Sequence, residues 1–435
     1  MLVLRNVRVF GYEQEDLTVV IQDGIVSWIG NTSSFEHTST VTSDVIDGHG
    51  AWLAPGFVDN HVHLSATGLS LASEELKTSQ GNEDLHKWIA KQALSQSEVI
   101  EGHGWDDTSW SSRASVWNDP RPVYLARVDA HSAVVSKQLI DRIPEVLSMS
   151  GFADDGVLTG VAHAFVRTWV QANTSEKQIR QRISDALQFA RSQGVVAVHE
   201  MAGPAISSYR DAEIVQEVKS DFGVHVSLWW GELLGFETAK ALGAYGCGGD
   251  LFVDGSFGSK TALLKDAYVG GGSGNEFLTV DELVAHLKMG IALNWPMGFH
   301  AIGDRAIANI SQALQKLVQL KDGIRKLDVR VEHCEYASRR DVEVFADFGV
   351  SISAQPQFDR EWGNPDGMYE RRLGASYKHL NPLSTYAKVG AVQVHGSDSP
   401  VTSLNPWLDV KSAMSMHQSE HSLSGRHAFR AHTTD

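Results

Sequence analysis

The feature that most constrains the fold of this chain is an alternation of short apolar runs with amphipathic helical segments, which begins near Trp52. Such an alternation favours parallel strands joined by right-handed helical crossovers. Eight apolar runs are present, and eight parallel strands close a (β/α)8 barrel. The predicted strands are 56–58, 194–198, 224–229, 251–253, 298–299, 329–331, 350–354 and 391–394. The predicted helices include 176–191, 280–293, 306–320 and 339–348.

Two segments do not fit a simple barrel. Residues 1–55 contain short alternating runs, and Asp23-Gly24 between two of them indicates a hairpin, so we predict a small antiparallel β module. About 130 residues separate His63 from Val195, too many for one crossover helix. Because long connections usually have a function or a structure of their own, we expect an insertion at about 65–175 that covers the barrel mouth.

The composition limits the partners and the compartment. A formal net charge of −16 and a pI near 5.6 argue against nucleic acid or an anionic membrane as a partner, because both require a basic face. The sequence contains neither a signal peptide nor an apolar run of the roughly 18–20 residues that span a bilayer. Two cysteines, Cys247 and Cys334, are too few for a disulfide framework. We therefore expect a cytoplasmic protein, and assembly into a homo-oligomer stays open.

The strongest motif is PGFVDNHVH at 55–63. Side chains two residues apart on a strand point to the same face, so His61 and His63 project together. Two such imidazoles at the carboxyl end of a barrel strand can hold one cation. The alternative is a coincidental pair, since the chain has 19 histidines.

Three more titratable residues follow predicted strands, the position at which barrel enzymes keep their chemistry. They are His300, His333 and Asp398. By strand alternation, His333 shares a face with Val331, and Asp398 shares a face with Val394. A lone histidine at the end of a strand is more often structural than a ligand. Four histidines and an aspartate at the strand ends of one barrel are difficult to explain by packing.

Four motifs together resemble those of the amidohydrolase superfamily. They are PGFVDxHxH at 55–63, HAIGDRA at 300–306, VEH at 331–333 and GSDSPV at 396–401. Within amidohydrolase family 3, DGSFGSKTA at 254–262 and GxGWD at 102–106 resemble the branch that contains N-substituted formamide deformylases. The likeness extends from the first β module to about Arg430.

This resemblance implies an α/β fold, a distorted (β/α)8 TIM barrel at 56–410 beside a small β-sandwich whose N-terminal part is 1–55. It also implies a cofactor of one or two divalent metal ions, zinc by default. The metal ligands that it implies are His61, His63, His300, His333 and Asp398.

One departure from the family pattern affects the metal count. The family often has a carboxylated lysine just before the Asp-Gly-Ser motif, where this chain has Asp250. A bridge between two ions would then come from Lys260 or Asp254. We favour instead a mononuclear centre on Asp398 and the two histidines of 55–63, with Asp254 capping a turn. The other two histidines would lie nearby as ligands or substrate contacts.

A second departure concerns the C-terminal segment, 411–435. The family usually continues for several dozen residues beyond a segment like 427–433, and these residues complete the β-sandwich. We therefore expect the last sandwich strands to be missing from this sequence.

Other residues near the predicted rim are candidates for catalysis or substrate binding. His199 closes the second predicted strand and is a catalytic candidate together with His300, since either could stabilise an oxyanion. Packing is the alternative for His199. In the insertion, His103 and Trp105 are candidate substrate contacts, although core packing is the commoner role of such a tryptophan. Gln355 ends the seventh strand and is a third candidate for substrate binding.

These assignments predict a hydrolase that cleaves a carbon–nitrogen bond other than a peptide bond, of N-formyl or N-acyl type, in a small-molecule substrate. Zinc lowers the pKa of bound water to about 7, and Asp398 would act as the general base. Asp304 or Glu332 could hold the second ring nitrogen of a histidine ligand, or form a surface salt bridge.

Three alternatives to this function stay open. One is a metal-dependent deaminase of a small ring or guanidine compound, and a phosphotriesterase-like enzyme is another. A non-enzymatic metal-binding barrel is disfavoured because Asp398 and the histidine pair are present.

Overall fold

The computed structural model describes residues 1–35, 44–73, 76, 82–92, 99–105, 116–127, 132–318 and 328–433. The chain divides into two compact units, Met1–Gly56 and Phe57–Asp435. Among the helices of the described ranges, none is long and apolar enough to cross a membrane.

The described part of the first unit contains one sheet of five strands. They are β1 (Leu2–Val9), β2 (Leu17–Gln22), β3 (Ile25–Asn31), β4 (Asp44–Asp47) and β5 (Trp52–Leu53). The predicted hairpin is confirmed, since Asp23 and Gly24 join antiparallel β2 and β3 with φ of 51° and 79°. However, β4 and β5 run parallel to β1, so the sheet is mixed rather than antiparallel. This sheet is a single layer, and the second layer of the expected sandwich stays a prediction.

The second unit contains the predicted barrel. Within the described residues its sheet has eight parallel strands in chain order, and Val62 pairs with Ser399 to bring the first strand next to the last. The strands are β6 (Phe57–Val62), β11 (Val195–Ala202), β12 (His225–Trp230), β13 (Gly246–Cys247), β14 (Met297–Ala301), β15 (Val329–His333), β16 (Ser351–Ala354) and β17 (Val392–His395). The barrel prediction is therefore confirmed.

The fourth barrel strand differs from its predicted position. The sequence pattern placed it at 251–253, but β13 lies at 246–247, and beyond it Phe252 makes only an isolated bridge to His300. Directly after β13, the backbone passes close to β14 at Gly248, whose φ is 129°. A Cβ atom on Gly248 would lie 2.1 Å from the carbonyl oxygen of Gly298. A side chain at this position would therefore clash with β14, and only glycine fits.

The helices that alternate with the barrel strands pack their apolar faces on the outside of the barrel in one continuous core, whereas the helices of the insertion pack in separate clusters. Capping boxes at Ser175 and Thr279 fix the starts of two of them. The described helices are Leu64–Ala72, Asn82–Lys91, Lys137–Ile140, Gly160–Asn173, Glu176–Ser192, Tyr209–Val218, Phe236–Ala241, Val280–Leu293, Asp304–Val318, Arg339–Phe348, Pro356–Trp362, Met368–Leu373, Leu383–Val389, Pro406–Met414 and Gly425–Ala431. The four predicted helices are confirmed to within two residues, with 319–320 outside the described residues.

The connection between the first two barrel strands has a sheet of its own. This sheet consists of β7 (Ile100–Trp105), β8 (Val123–Arg127), β9 (Ser132–Val135) and β10 (Val157–Thr159). It is tied to the barrel where Arg182 of helix Glu176–Ser192 donates to both carboxylate oxygens of Glu101 (2.8 and 3.3 Å). The described contacts therefore join the sheet to a helix of the barrel wall.

Candidate metal centre

The histidine pair lies at the carboxyl end of β6. The imidazole of His61 is fully buried, and the side chain of His63 is 14% exposed. Both side chains point to the same place, because their Nε2 atoms lie 3.4 and 3.0 Å from the same oxygen, Oδ1 of Asp398. The spacing of two residues thus produces the shared face that strand geometry predicts.

Backbone contacts between the first and last strands bring Asp398 to this pair. The amide of Asp398 donates to the carbonyl of His61 (2.7 Å), and the amide of His63 donates to the carbonyl of Ser399 (2.9 Å). Gly396 makes the approach possible, since a Cβ atom there would lie 2.4 Å from the amide nitrogen of His61. Asp59 also links the two segments, because its carboxylate accepts hydrogen bonds from the amides of both His61 and Ser397.

Asp250 is the second carboxylate of the cluster. Its Oδ2 lies 3.3 Å from Nε2 of His61 and 3.4 Å from Nε2 of His63. Its Oδ1 faces the other way and lies 3.5 Å from Nε2 of His333. Two overlapping sets result, His61–Asp250–His333 and His61–His63–Asp398, and in each the ligand atoms lie within 4.8 Å of one another.

Each of the three imidazoles is oriented by an acceptor at Nδ1. The acceptors are Oε2 of Glu332 for His61 (2.8 Å), the carbonyl of Met201 for His63 (2.9 Å) and Oε1 of Gln355 for His333 (2.8 Å). An acceptor at Nδ1 places the proton on that nitrogen and leaves the Nε2 lone pair free. The three Nε2 lone pairs therefore converge on the two carboxylates, as in metal centres with oriented histidine ligands.

The atoms at the middle of the cluster fit a divalent cation. Nε2 of His61, Oδ1 of Asp250 and Oδ1 of Asp398 are buried and make no hydrogen bond to any described residue. Buried polar atoms normally have a partner, so three orphaned atoms that face one another indicate a missing positive group. Imidazole nitrogen and carboxylate oxygen are the donors that zinc and similar ions accept.

The electrostatics of the cluster also favour positive charge. Burial by itself would lower the pKa of an imidazole. For His61, the carboxylates of Asp250 and Asp398 outweigh burial and hold the pKa well above its usual value. The same balance raises the pKa of His63 to about 8. Against their own burial, the imidazoles hold the pKa of both carboxylates below its usual range.

The expected bridge from Lys260 or Asp254 differs from the arrangement in the structure. Both carboxylate oxygens of the fully buried Asp254 are occupied by backbone amides, those of Leu263, Ile302 and Gly303 (2.8–3.0 Å). Nζ of Lys260 donates to a backbone carbonyl at 2.8 Å in an exposed contact. Asp254 therefore caps a turn and links the loop after it to the loop after β14. Asp250, not Asp254, lies between the histidines.

His300 lies beside the cluster, with its ring centroid 4.5 Å from that of His333. Its Nδ1 is 3.6 Å from Oδ1 of Asp254, too long for a hydrogen bond. This nitrogen is buried and makes no hydrogen bond within the described part of the chain. His300 thus has a ring nitrogen available beside the two carboxylates and three imidazoles.

The other predicted site residues differ in whether they contact the cluster. His199 is buried deeper in the barrel, where its Nδ1 accepts from Nε1 of Trp229 (2.9 Å), so the structure does not bring it to the cluster. Gln355 is 1% exposed and holds His333 instead of facing open space. His103 is buried on β7, and the side chain of Trp105 lies outside the described residues.

Sequence reasoning missed part of the support around the centre. Of the two proposed acceptors, Glu332 accepts from Nδ1 of His61, whereas Asp304 accepts from the amide of Lys265. The ion pair between Arg330 and Glu332 was not predicted. Its only sequence signal is two charged residues at alternate positions of an otherwise apolar strand, which places both inside the barrel.

One protein family matches most of the chain. Residues 44–435 match the sequence profile of the amidohydrolase family. The protein LONG AFTER FAR-RED 3 of Arabidopsis thaliana is 23% identical over 438 residues, which cover 91% of this chain and 74% of that protein. The putative amidohydrolase YtcJ of Bacillus subtilis is 22% identical over 452 residues, covering 95% and 83%.

A solved structure has the same fold. It is that of an uncharacterized metal-dependent hydrolase from Pyrococcus furiosus, with a TM-score of 0.82 and 23% sequence identity. The similarity covers 99% of this chain and 92% of that one.

Proposed function

Because the chain belongs to the amidohydrolase family, we propose that it hydrolyses an amide-like carbon–nitrogen bond other than a peptide bond. The observation that supports this proposal most is the convergence of three oriented imidazoles on two carboxylates. Nε2 of His61 and one oxygen each of Asp250 and Asp398 lack hydrogen bonds to described residues. A divalent cation would balance the two buried carboxylates of such a cluster.

The ions would be held by residues at the carboxyl ends of four barrel strands, two of them on strands (β6 and β15) and three in the loops that follow β6, β13 and β17. His61, His63 and Asp398 would hold the first ion. Asp250 would bridge it to a second ion at His333, because its two oxygens face the two sides of the cluster. This proposal differs from the mononuclear centre favoured from the sequence, in which Asp398 and the two histidines of 55–63 hold one ion. Zinc is the proposed metal, because the donors are nitrogen and oxygen atoms.

A bound divalent ion would supply Lewis acidity and lower the pKa of water to about 7. Asp398 takes a proton from the attacking water and delivers it to the leaving nitrogen as the carbon–nitrogen bond breaks. The products are a carboxylate and an amine. His300 has a free ring nitrogen beside the cluster and stabilises the negative oxygen that develops on the acyl carbon.

The proposed substrates are N-formyl and N-acyl amines. This choice is supported by the resemblance of 102–106 and 254–262 to the formamide deformylase branch. The insertion is proposed to shape access to the centre, with His103 and Trp105 as substrate contacts. Support comes from a small cavity of about 100 Å³ that is lined by His63 of the centre and by Glu101 of the insertion.

The test compares metal content with turnover on a panel of amides. Purified protein should contain divalent metal, lose activity on chelation and regain it when zinc is added. His61→Ala should lose both metal and activity, whereas the matched variant His427→Ala changes an exposed histidine and should keep both. Release of ammonia from amino-substituted rings or guanidines, without cleavage of any amide, would favour a deaminase instead. Full activity in metal-free protein would contradict the proposal.

A further inference from the structure

A buried arginine lies inside the barrel beneath the metal centre. Arg330 is on β15, and 6% of the residue is exposed. A buried guanidinium is costly unless its charge and its N–H groups are matched by partners. The partners of Arg330 therefore indicate what this residue does.

Its main partner is Glu332, the residue that orients His61. Nε of Arg330 donates to one carboxylate oxygen at 2.7 Å, and Nη2 donates to the other at 3.0 Å. Glu332 is fully buried, and the second of these oxygens also accepts from Nδ1 of His61. A continuous chain of hydrogen bonds thus runs from Arg330 through Glu332 to a proposed metal ligand.

The remaining contacts of Arg330 reach four other strands. Nη2 donates to the carbonyl of Asn60 on β6, the residue just before His61, and to Oγ of Ser353 on β16 (3.3 Å). Nη1 lies 3.1 Å from Nδ1 of His199 on β11, and the ring of Trp229 on β12 is 5.1 Å from the guanidinium carbon. One planar group therefore ties five strands together at the level below the centre.

We infer that Arg330 is a positioning residue of the metal centre: it holds Glu332 and the backbone of β6 so that Nε2 of His61 points at Asp250 and Asp398. This inference rests on the proposed function, since it takes His61 as a metal ligand. These contacts require the planar guanidinium group, whose N–H donors point in fixed directions. A lysine would neutralise Glu332 but could not donate along two fixed directions while also reaching Asn60 and Ser353.

The experiment measures Co²⁺ binding, because the visible absorption of bound cobalt reports the arrangement of its ligands. Arg330→Lys keeps the positive charge and removes the planar guanidinium group. Arg330→Met removes both and leaves Glu332 unpaired. The double variant Arg330→Met with Glu332→Gln removes both buried charges. Arg339→Met is the matched control, since Arg339 also pairs with a carboxylate but its side chain is 66% exposed.

We expect Arg330→Lys and Arg330→Met to bind Co²⁺ at least ~10-fold more weakly, with an altered visible spectrum, as for other residues that orient metal ligands. The double variant should recover thermal stability relative to Arg330→Met but keep the weak binding and altered spectrum. A purely structural role would restore both. Even if Arg330→Met does not fold, the other two variants decide the question.

Wild-type affinity and spectrum in Arg330→Lys would overturn the inference and leave the proposed function standing. Failure of the wild-type protein to bind Co²⁺ would overturn the proposed function, and the inference with it. Arg339→Met should match the wild-type protein in both measurements.

Discussion

Two residues of the centre have backbone conformations that strands do not allow. The φ angles of His333 and Asp398 are 65° and 52°, in the left-handed region. For residues other than glycine this region costs about 1–3 kcal/mol each, and such strain is concentrated at functional sites. Strand alternation predicted that His333 faces the same way as Val331. That prediction was wrong, because the left-handed turn breaks the alternation and directs His333 toward Asp250, while Val331 packs in the core.

The sequence could therefore identify the residues at the ends of the strands, but not the direction in which their side chains point. Side chains two residues apart share a face only where the backbone between them is extended. It held for His61 and His63, where both Nε2 atoms approach Asp398. Asp250 was noted from the missing lysine, but its place between His61 and His333 is set by contacts between distant parts of the chain, which no local pattern reveals.

Asp398→Asn tests the assigned general base. The amide cannot accept the proton from water, so kcat should fall at least ~10²-fold. The thermal midpoint should change little, because asparagine has nearly the same shape and tolerates the left-handed backbone. The measurement is steady-state turnover with zinc present. Asp221→Asn, at an exposed position, should keep wild-type turnover. Near-normal kcat in Asp398→Asn would place the base elsewhere.

Asp250→Asn tests the bridge between the two ions. Removal of the negative charge leaves the second ion with too little charge to balance it, so zinc content should fall from about two ions per chain to about one. Elemental analysis of dialysed protein measures this ratio. An exposed control, Asp266→Asn, should retain the wild-type content. An unchanged ratio in Asp250→Asn would rule out Asp250 as the bridge.

At the level of elements, the region between the first and last barrel strands is closed partly by a side chain. The amide of Val58 on β6 donates to the carbonyl of His432 (3.0 Å), and Nδ1 of His432 donates back to the carbonyl of Val58 (2.8 Å). The other ring nitrogen of His432 is 2.8 Å from Oδ2 of Asp409, which is fully buried. His432 thus takes the place of a strand partner for β6.

His432→Phe should destabilise the protein by about 3 kcal/mol. Phenylalanine keeps the ring, but it leaves the buried carboxylate of Asp409 and the carbonyl of Val58 without their donors. Urea denaturation monitored by circular dichroism measures the free energy of unfolding. His427→Phe, at an exposed position of the helix that precedes His432, is the control and should lie within about 0.5 kcal/mol of the wild-type protein. Equal stabilities of the two variants would contradict this role of His432.

At the level of the whole molecule, the barrel was predictable and the residues that close it were not. The alternation of strands and helices predicted eight parallel strands because each run needs only local apolar patterning. The contacts of His432 with Val58 join residues 374 positions apart in the chain. Pairings of this kind have no local signature in one sequence. The expectation of an insertion between the first two barrel strands likewise did not specify the four-stranded sheet that this segment contains.

The pH dependence of stability follows from a buried neutral histidine that is not part of the proposed metal centre. Nδ1 of His286 accepts from the amide of Leu234, and Nε2 donates to the carbonyl of Cys247, so both nitrogens are matched only in the neutral ring. Burial lowers the pKa of His286 to about 4. In the unfolded chain this pKa is about 6.5. Protons therefore bind the unfolded chain more readily between these values.

The stability supplied by neutral His286 is complete above pH 6.5 and is lost as the pH falls from 6.5 to about 4. The shift corresponds to about 3 kcal/mol of unfolding free energy. Urea denaturation across this range should show a loss of that order in the wild-type protein, and His286→Gln should flatten it. The exposed variant His427→Gln should keep the wild-type slope. An identical slope in His286→Gln would show that other groups cause the acid sensitivity.

The most direct test of the metal centre is anomalous diffraction at the zinc absorption edge from crystals of the zinc-loaded protein. One peak should lie about 2.0–2.2 Å from Nε2 of His61 and His63 and from a carboxylate oxygen of Asp398. A second should lie beside His333, about 3.5–4 Å from the first, with Asp250 between them. A map without a peak at these residues, or with peaks only at other places, would contradict the assignment of this protein as a metal-dependent hydrolase acting through this centre.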